Sequence, residues 1–257
     1  MGRREEYQEE LSSASDVVAF LRVHSGLPGP RGNLELLEAA ADFGDDRTFH
    51  DWIIAGSGSD LTDEFVAMCG VVGLGQLIGD GREEFVGELH SYASDPRWRV
   101  REAVAMAFQR VGDRSTDALF RLVRPWAGDR PYVQRAAIAA VSEPRLLKMH
   151  QAASQAVELV DAVTATVAAT VAAAGASDAG GAVADRRADE FRTLRQALGY
   201  CWSVIVAADP ADGRPAMERW ARSGDPDIRW ILKENLKKAR LARIDSEWVA
   251  RLRSELG

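Results

Sequence analysis

Apolar residues recur along this chain at helical spacing, most clearly in Ser94–Asp113. Val100, Ala103, Val104, Ala107, Phe108 and Val111 share one helical face, with Arg101, Glu102 and Gln109 falling between them. Asp95-Pro96 is a start signal, because aspartate accepts from free backbone N–H groups and proline fits a first helical turn. Gly112-Asp113 is the matching stop.

The same reading gives helices elsewhere. An acidic helix is predicted over Glu5–Leu21, followed by a Gly/Pro-rich break at Ser25–Gly32. Asn33 caps a helix running to about Phe43, Phe49–Ile54 is a short amphipathic piece, and Gly56–Asp60 is a flexible loop. A helix from Thr62 to about Ile78 holds Gly70, Gly73 and Gly75. Each glycine costs about 1 kcal/mol against alanine in a helix interior, so a closely approaching neighbour helix is the expected compensation. Glu83–Ala93 pairs with Asp95–Val111, and Thr116–Trp126 pairs with Pro131–Val141, which Pro144 closes. Val100 and Val133 lie 33 residues apart, a spacing typical of helix-pair repeats. Leu146–Ala174 reads as one or two alanine-rich helices, 176–182 as a flexible loop and Asp185–Ala208 as a long helix. Arg214–Ser223, a helix from Asp225 to near Leu241, and Ser246–Leu256 follow. Strand-like alternation is nearly absent, so the predicted class is all-α.

The pattern D-P-x-x-x-V-R-x-A-x-x-x-A-F-x-x-V-G-D over Asp95–Asp113 resembles the signature of HEAT repeats. The resemblance is clear over 83–113 and good over 225–241. It is partial over 116–141, where Gln134 stands in place of an arginine after Val133. Residues 60–80 share only the apolar spacing and the Gly-Asp ending, and 1–56 and 146–213 match only as helices. It implies a HEAT-like α-solenoid of stacked antiparallel helix pairs in a right-handed superhelix, with the second helices lining a concave surface. The organisation expected is a single domain over 1–257. In it 1–56 is an N-terminal helical cap, 57–145 are repeats and 214–257 is a C-terminal repeat and cap. Residues 146–213 are long helices that either continue the repeats or form an inserted hairpin.

Charge changes the picture more than composition does. The net charge is −7, yet residues 1–96 carry 6 Lys/Arg against 19 Asp/Glu. Residues 97–148 carry 11 against 5, and 214–243 carry 9 against 4. Overall acidity argues against an indiscriminate polyanion binder, while the two basic blocks keep local polyanion sites open. No apolar run reaches the ~20 residues of a membrane span, so no membrane partner is expected. The N-terminus lacks an apolar signal core. Cys69 and Cys201 sit in apolar helical patterns and read as buried free thiols, so a cytoplasmic location is expected. His24, His50, His90 and His150 form no H-x-x-x-H or H-E-x-x-H pair, so neither metal nor cofactor is expected. No G-x-S-x-G elbow is present, and no strand precedes the glycines of 70–75 to make them a nucleotide loop.

Three constellations carry candidate chemistry. Arg97, Trp98, Arg99 and Arg101, with Arg130, Tyr132 and Arg135, stand at the starts of two successive repeat helices. Arginines beside aromatics suit phosphate contacts with base stacking. Alternatively, Asp95 with Arg101 or Arg135, and Asp129 with Arg135, bridge neighbouring repeats. The second set is Arg229, Trp230, Lys233, Lys237, Lys238, Arg240 and Arg243. In it Arg229, Lys233 and Lys237 share a face at i, i+4, i+8, either to grip an acidic partner or as a solvated surface. Asn235 reads as a buried amide holding a loop. The third is Tyr200-Cys201-Trp202, core residues or, with Trp230, the walls of a pocket in which Asp51, Asp189 or Glu190 orients a water.

The leading expectation is therefore a non-enzymatic HEAT-repeat binding or scaffold protein with a protein partner. Its concave surface would carry Trp98, Arg99 and the Arg229–Lys237 face together. The alternative is a DNA-binding protein, or a DNA glycosylase acting on alkylated bases, as the HEAT-like glycosylases do.

Overall fold

The computed structural model describes residues 2–177 and 188–257, and the described residues form fifteen α-helices and no strand. The protein is all-α, as its periodicity predicts. Its contacts divide it into two compact units, Met1–Ala118 and Leu119–Gly257. Most of the loop expected over 176–182, from 178 onward, lies outside the described residues, as does the start of the helix expected at Asp185.

In the first unit the helices are α1 (Arg3–Ser13), α2 (Val17–His24), α3 (Leu34–Phe43), α4 (Asp46–Ala55), α5 (Leu61–Gly79), α6 (Val86–Tyr92) and α7 (Trp98–Arg114). The single helix predicted over 5–21 is two. Asp16 accepts a hydrogen bond from Ala19 N and restarts the helix at Val17, because an aspartate side chain competes for backbone N–H groups. Asn33 and Asp60 cap α3 and α5 in the same way.

Helix α5 is the centre of this unit. It is long and apolar enough to cross a membrane by length and composition, but most of it is buried in the protein as a core helix. It packs on α4 and α7 at backbone distance, because its glycines leave no side chain between. A Cβ at Gly73 would lie 2.3 Å from the Phe49 ring, and one at Gly75 2.3 Å from the Ala107 carbonyl oxygen. Burial pushes the Cys69 thiol on the same helix well above its ordinary pKa.

Helix α8 (Thr116–Val123) spans the division between the units. The second unit continues with α9 (Pro131–Val141), α10 (His150–Ser177), α11 (Asp189–Ala208), α12 (Pro210–Ala221), α13 (Pro226–Leu236), α14 (Ala239–Ile244) and α15 (Ser246–Leu256). Helix α11 packs against α9, α10, α12, α13 and α14. Its Trp202 is fully buried, and the indole Nε1 donates to Thr164 Oγ1 of α10 at 3.0 Å. Trp202 is therefore a core residue. Gly199 lets the α13 helix approach: a Cβ there would meet the Trp230 ring at 3.1 Å. The helix predicted over 225–241 stops at Leu236, and α14 starts separately at Ala239.

Candidate anion-binding recess

Helix α14 and its N-cap bring Lys238, Arg240 and Arg243 to the face of α11 that carries Tyr200. Tyr200 is 46% exposed, whereas its neighbours Cys201 and Trp202 on the same helix are buried. Arg240 Nη2 donates to the Tyr200 hydroxyl at 2.9 Å, and its guanidinium carbon stands 4.7 Å from the ring centroid. Lys238 Nζ lies 5.7 Å from the same centroid. Cations over a tyrosine face are held by the ring quadrupole, so the charges are positioned without a carboxylate partner.

Beside them is a recess of about 460 Å³. Its apolar wall is Pro144, Leu147, Val204, Ala207 and Ala208, and its polar lining is Tyr200, Arg240 and Arg243. Leu147 and Val204 are buried, so the floor is fixed. Among the described residues no carboxylate lines the recess. Arg243 is exposed and has no hydrogen-bond or ion-pair partner among the described residues. A free guanidinium over an apolar floor suits a carboxylate or phosphate attached to an apolar body, since its fork binds two oxygens at once.

Most of the residues singled out by sequence are instead bonded to the protein itself. Arg97 pairs with Asp95 at 2.9 Å and donates to the Gly56 carbonyl at 2.6 Å. Arg99 pairs with Glu64 at 3.3 Å, both side chains largely buried, and lies 4.6 Å over the Trp98 ring. Trp98 is exposed. Arg101 is buried and turns back to the Asp95 and Pro96 carbonyls, closing its own turn. Arg135 is half-buried and engaged within the protein. The Tyr132 hydroxyl donates to Asp189 at 2.6 Å, and the Arg130 side chain is exposed.

In the second basic set, Arg229 donates to the Leu256 carbonyl and Lys233 to that of Gly257. These two cations satisfy the carbonyl end of α15, where the helix dipole favours positive charge. Lys237 lies past the last residue of α13 and pairs with Glu234, so the face expected at i, i+4, i+8 ends at Lys233. Trp230 is half-buried beneath the Arg195 guanidinium, 4.0 Å from its centroid. Arg97–Arg101 and Arg229–Lys237 belong to different units.

One group escaped the sequence reading. Arg110 is 7% exposed and binds Glu38, Asp42 and Gln76, which lie 72, 68 and 34 residues away. Nothing in the neighbourhood of Arg110 in the sequence marks those partners.

No family model matches the chain, and no curated protein matches it. Among solved structures it is similar to a crystal structure described as an engineered protein, at 13% identity over 98% of each chain with a TM-score of 0.33.

Proposed function

We propose that the protein is a non-enzymatic binding module of HEAT-like helical pairs, whose second unit takes an acidic segment of a protein partner. The observation that carries this reading is the recess of Tyr200, Arg240 and Arg243, cationic on its polar side, apolar on its floor and, among the described residues, free of carboxylates. An extended peptide with acidic residues beside a leucine or phenylalanine fits both halves. The order Asp-Pro, Val-Arg and Gly-Asp in Asp95–Asp113 supports the HEAT-like reading, as does the helical pairing that follows it.

The alternative, a DNA-binding protein or an alkyl-base glycosylase, draws less support. Arg97, Arg99, Arg101, Arg229, Lys233 and Lys237 are each bonded to groups of the protein itself, which leaves fewer free cations for phosphates.

The test is fluorescence anisotropy with a labelled acidic, leucine-containing peptide and, separately, labelled duplex DNA, intact or with an abasic site. The expected result is peptide binding that Arg243→Glu weakens at least tenfold and Tyr200→Ala weakens further. Peptide affinity unchanged in Arg243→Glu would overturn the recess as the site. Duplex binding that is salt-sensitive and lost in Arg243→Glu and Arg130→Glu would move the reading to DNA.

A further inference from the structure

We propose that His150, Asp209 and Asp212 form a site for one divalent cation of the zinc class. His150 is the first residue of α10, Asp209 is the N-cap of α12, and Asp212 lies in the first turn of α12. The two helix starts bring one nitrogen and two carboxylate oxygens within 4.8 Å of one another.

Asp209 carries the argument. It is 4% exposed. Its Oδ1 is occupied, accepting from the backbone N–H groups of Ala211 and Asp212 at 3.1 and 3.2 Å. Its Oδ2 is shielded from water and accepts no hydrogen bond. His150 Nδ1 stands 2.9 Å from that oxygen, but at an angle that makes no hydrogen bond. A buried carboxylate oxygen without a donor is costly, and a cation between it and the imidazole nitrogen removes that cost.

The surroundings agree. Ser154 Oγ donates to Asp212 Oδ2 at 2.8 Å and orients the third ligand, as outer hydrogen bonds do in metal sites. His150 and Asp212 are both exposed, so their side chains are free to close on an ion at the 2.0–2.2 Å or so that zinc takes from imidazole and carboxylate. One imidazole and two carboxylates leave a coordination position for water or an anion. His50 shows the contrast. It also faces two carboxylates, but both its ring nitrogens are hydrogen-bonded, to the Asp46 carbonyl at 2.7 Å and to Glu88 at 3.0 Å.

The experiment uses the full chain without an affinity tag. Zinc chloride is titrated by calorimetry, and cobalt(II) is followed by its visible absorption. The expected result is one ion per chain, with affinity reduced at least tenfold in His150→Ala and in Asp209→Asn. Asparagine keeps the capping oxygen, so Asp209→Asn should retain its helix content by circular dichroism. If it does not, His150→Ala, at an exposed position, decides alone. His50→Ala should bind as the unaltered chain does. Absence of saturable binding would overturn the site and leave an imidazole–carboxylate contact. So would a His150→Ala variant that binds one ion as tightly as the unaltered chain.

Discussion

Asn235 ties α13 to Ser203 of α11: its Oδ1 accepts from the Ser203 backbone N–H at 2.8 Å. The same amide donates through Nδ2 to the Leu198 and Ile231 carbonyls, both at 2.8 Å. Asn235 is fully buried, so these bonds have no water to replace them. It joins two helices and does not hold a loop. Asn235→Leu should lose roughly 2–3 kcal/mol of stability, because a buried N–H is left without its acceptor. Urea denaturation measures this, and a loss well under 1 kcal/mol would show that Ser203 finds another acceptor.

Arg110 and Asp42 define the charge balance of the first unit. Arg110 donates to Asp42 and to Glu38, and Asp42 also accepts from Arg4 at 2.9 Å and from Gln8 at 3.0 Å. Partial burial acts to raise the Asp42 pKa, but the hydrogen bonds from Arg110 and Arg4 outweigh it and hold the carboxyl below its usual range. A depressed carboxyl contributes stability above its unfolded value and loses it as pH falls through the folded one. Arg110→Met should therefore cost about 2–3 kcal/mol at neutral pH, given partners that keep some exposure. That cost should shrink in strong acid. Denaturation midpoints at pH 7 and near pH 3 test it, and an equal cost at both would sink the electrostatic account.

His50 responds to pH in the opposite direction. Burial disfavours its charged form, but the hydrogen bonds to the Asp46 carbonyl and Glu88, with both carboxylates nearby, outweigh this and raise its pKa. A raised histidine stabilises fully below its unfolded value, about 6.5, and the contribution disappears as pH rises through the folded value. His50→Gln should destabilise the chain more at about pH 6 than at about pH 9. Thermal melts at the two values would show the difference, and a larger loss at the alkaline pH would contradict it.

Gly75 sets two local preferences against each other. Alanine there would gain about 1 kcal/mol in helix propensity. Its Cβ would meet Ala107 backbone atoms at 2.3 to 2.6 Å, which no rotamer relieves. Overpacking of that kind costs about 1–3 kcal/mol, so Gly75→Ala should be destabilising in net. A stabilised variant, read by its melting temperature, would mean that α7 can move away from α5.

The helices were legible because their signals are local. Asn33 and Asp225 each cap a helix through a hydrogen bond to a residue three positions on, which is visible in the sequence. The glycines of 70–75 also announced a close neighbour, because nothing else compensates their cost within one helix. The break at Asp16 was less legible: apolar spacing runs on through it, while Ala14 turns extended after α1 and the Asp16 side chain caps α2.

The candidate site divides along the same line. By itself the chain determined an all-helical protein, the positions of its caps, and two clusters of arginine, lysine and aromatic residues. Tertiary structure alone decided which of those cations are free. Arg229 is taken up by a carbonyl 27 residues away and Arg99 by a carboxylate 35 away, while Arg243 meets no such group among the described residues. The physical reason is reach. Caps and turns act over three or four residues, whereas a long charged side chain is neutralised by whichever group the packing of distant helices brings beside it.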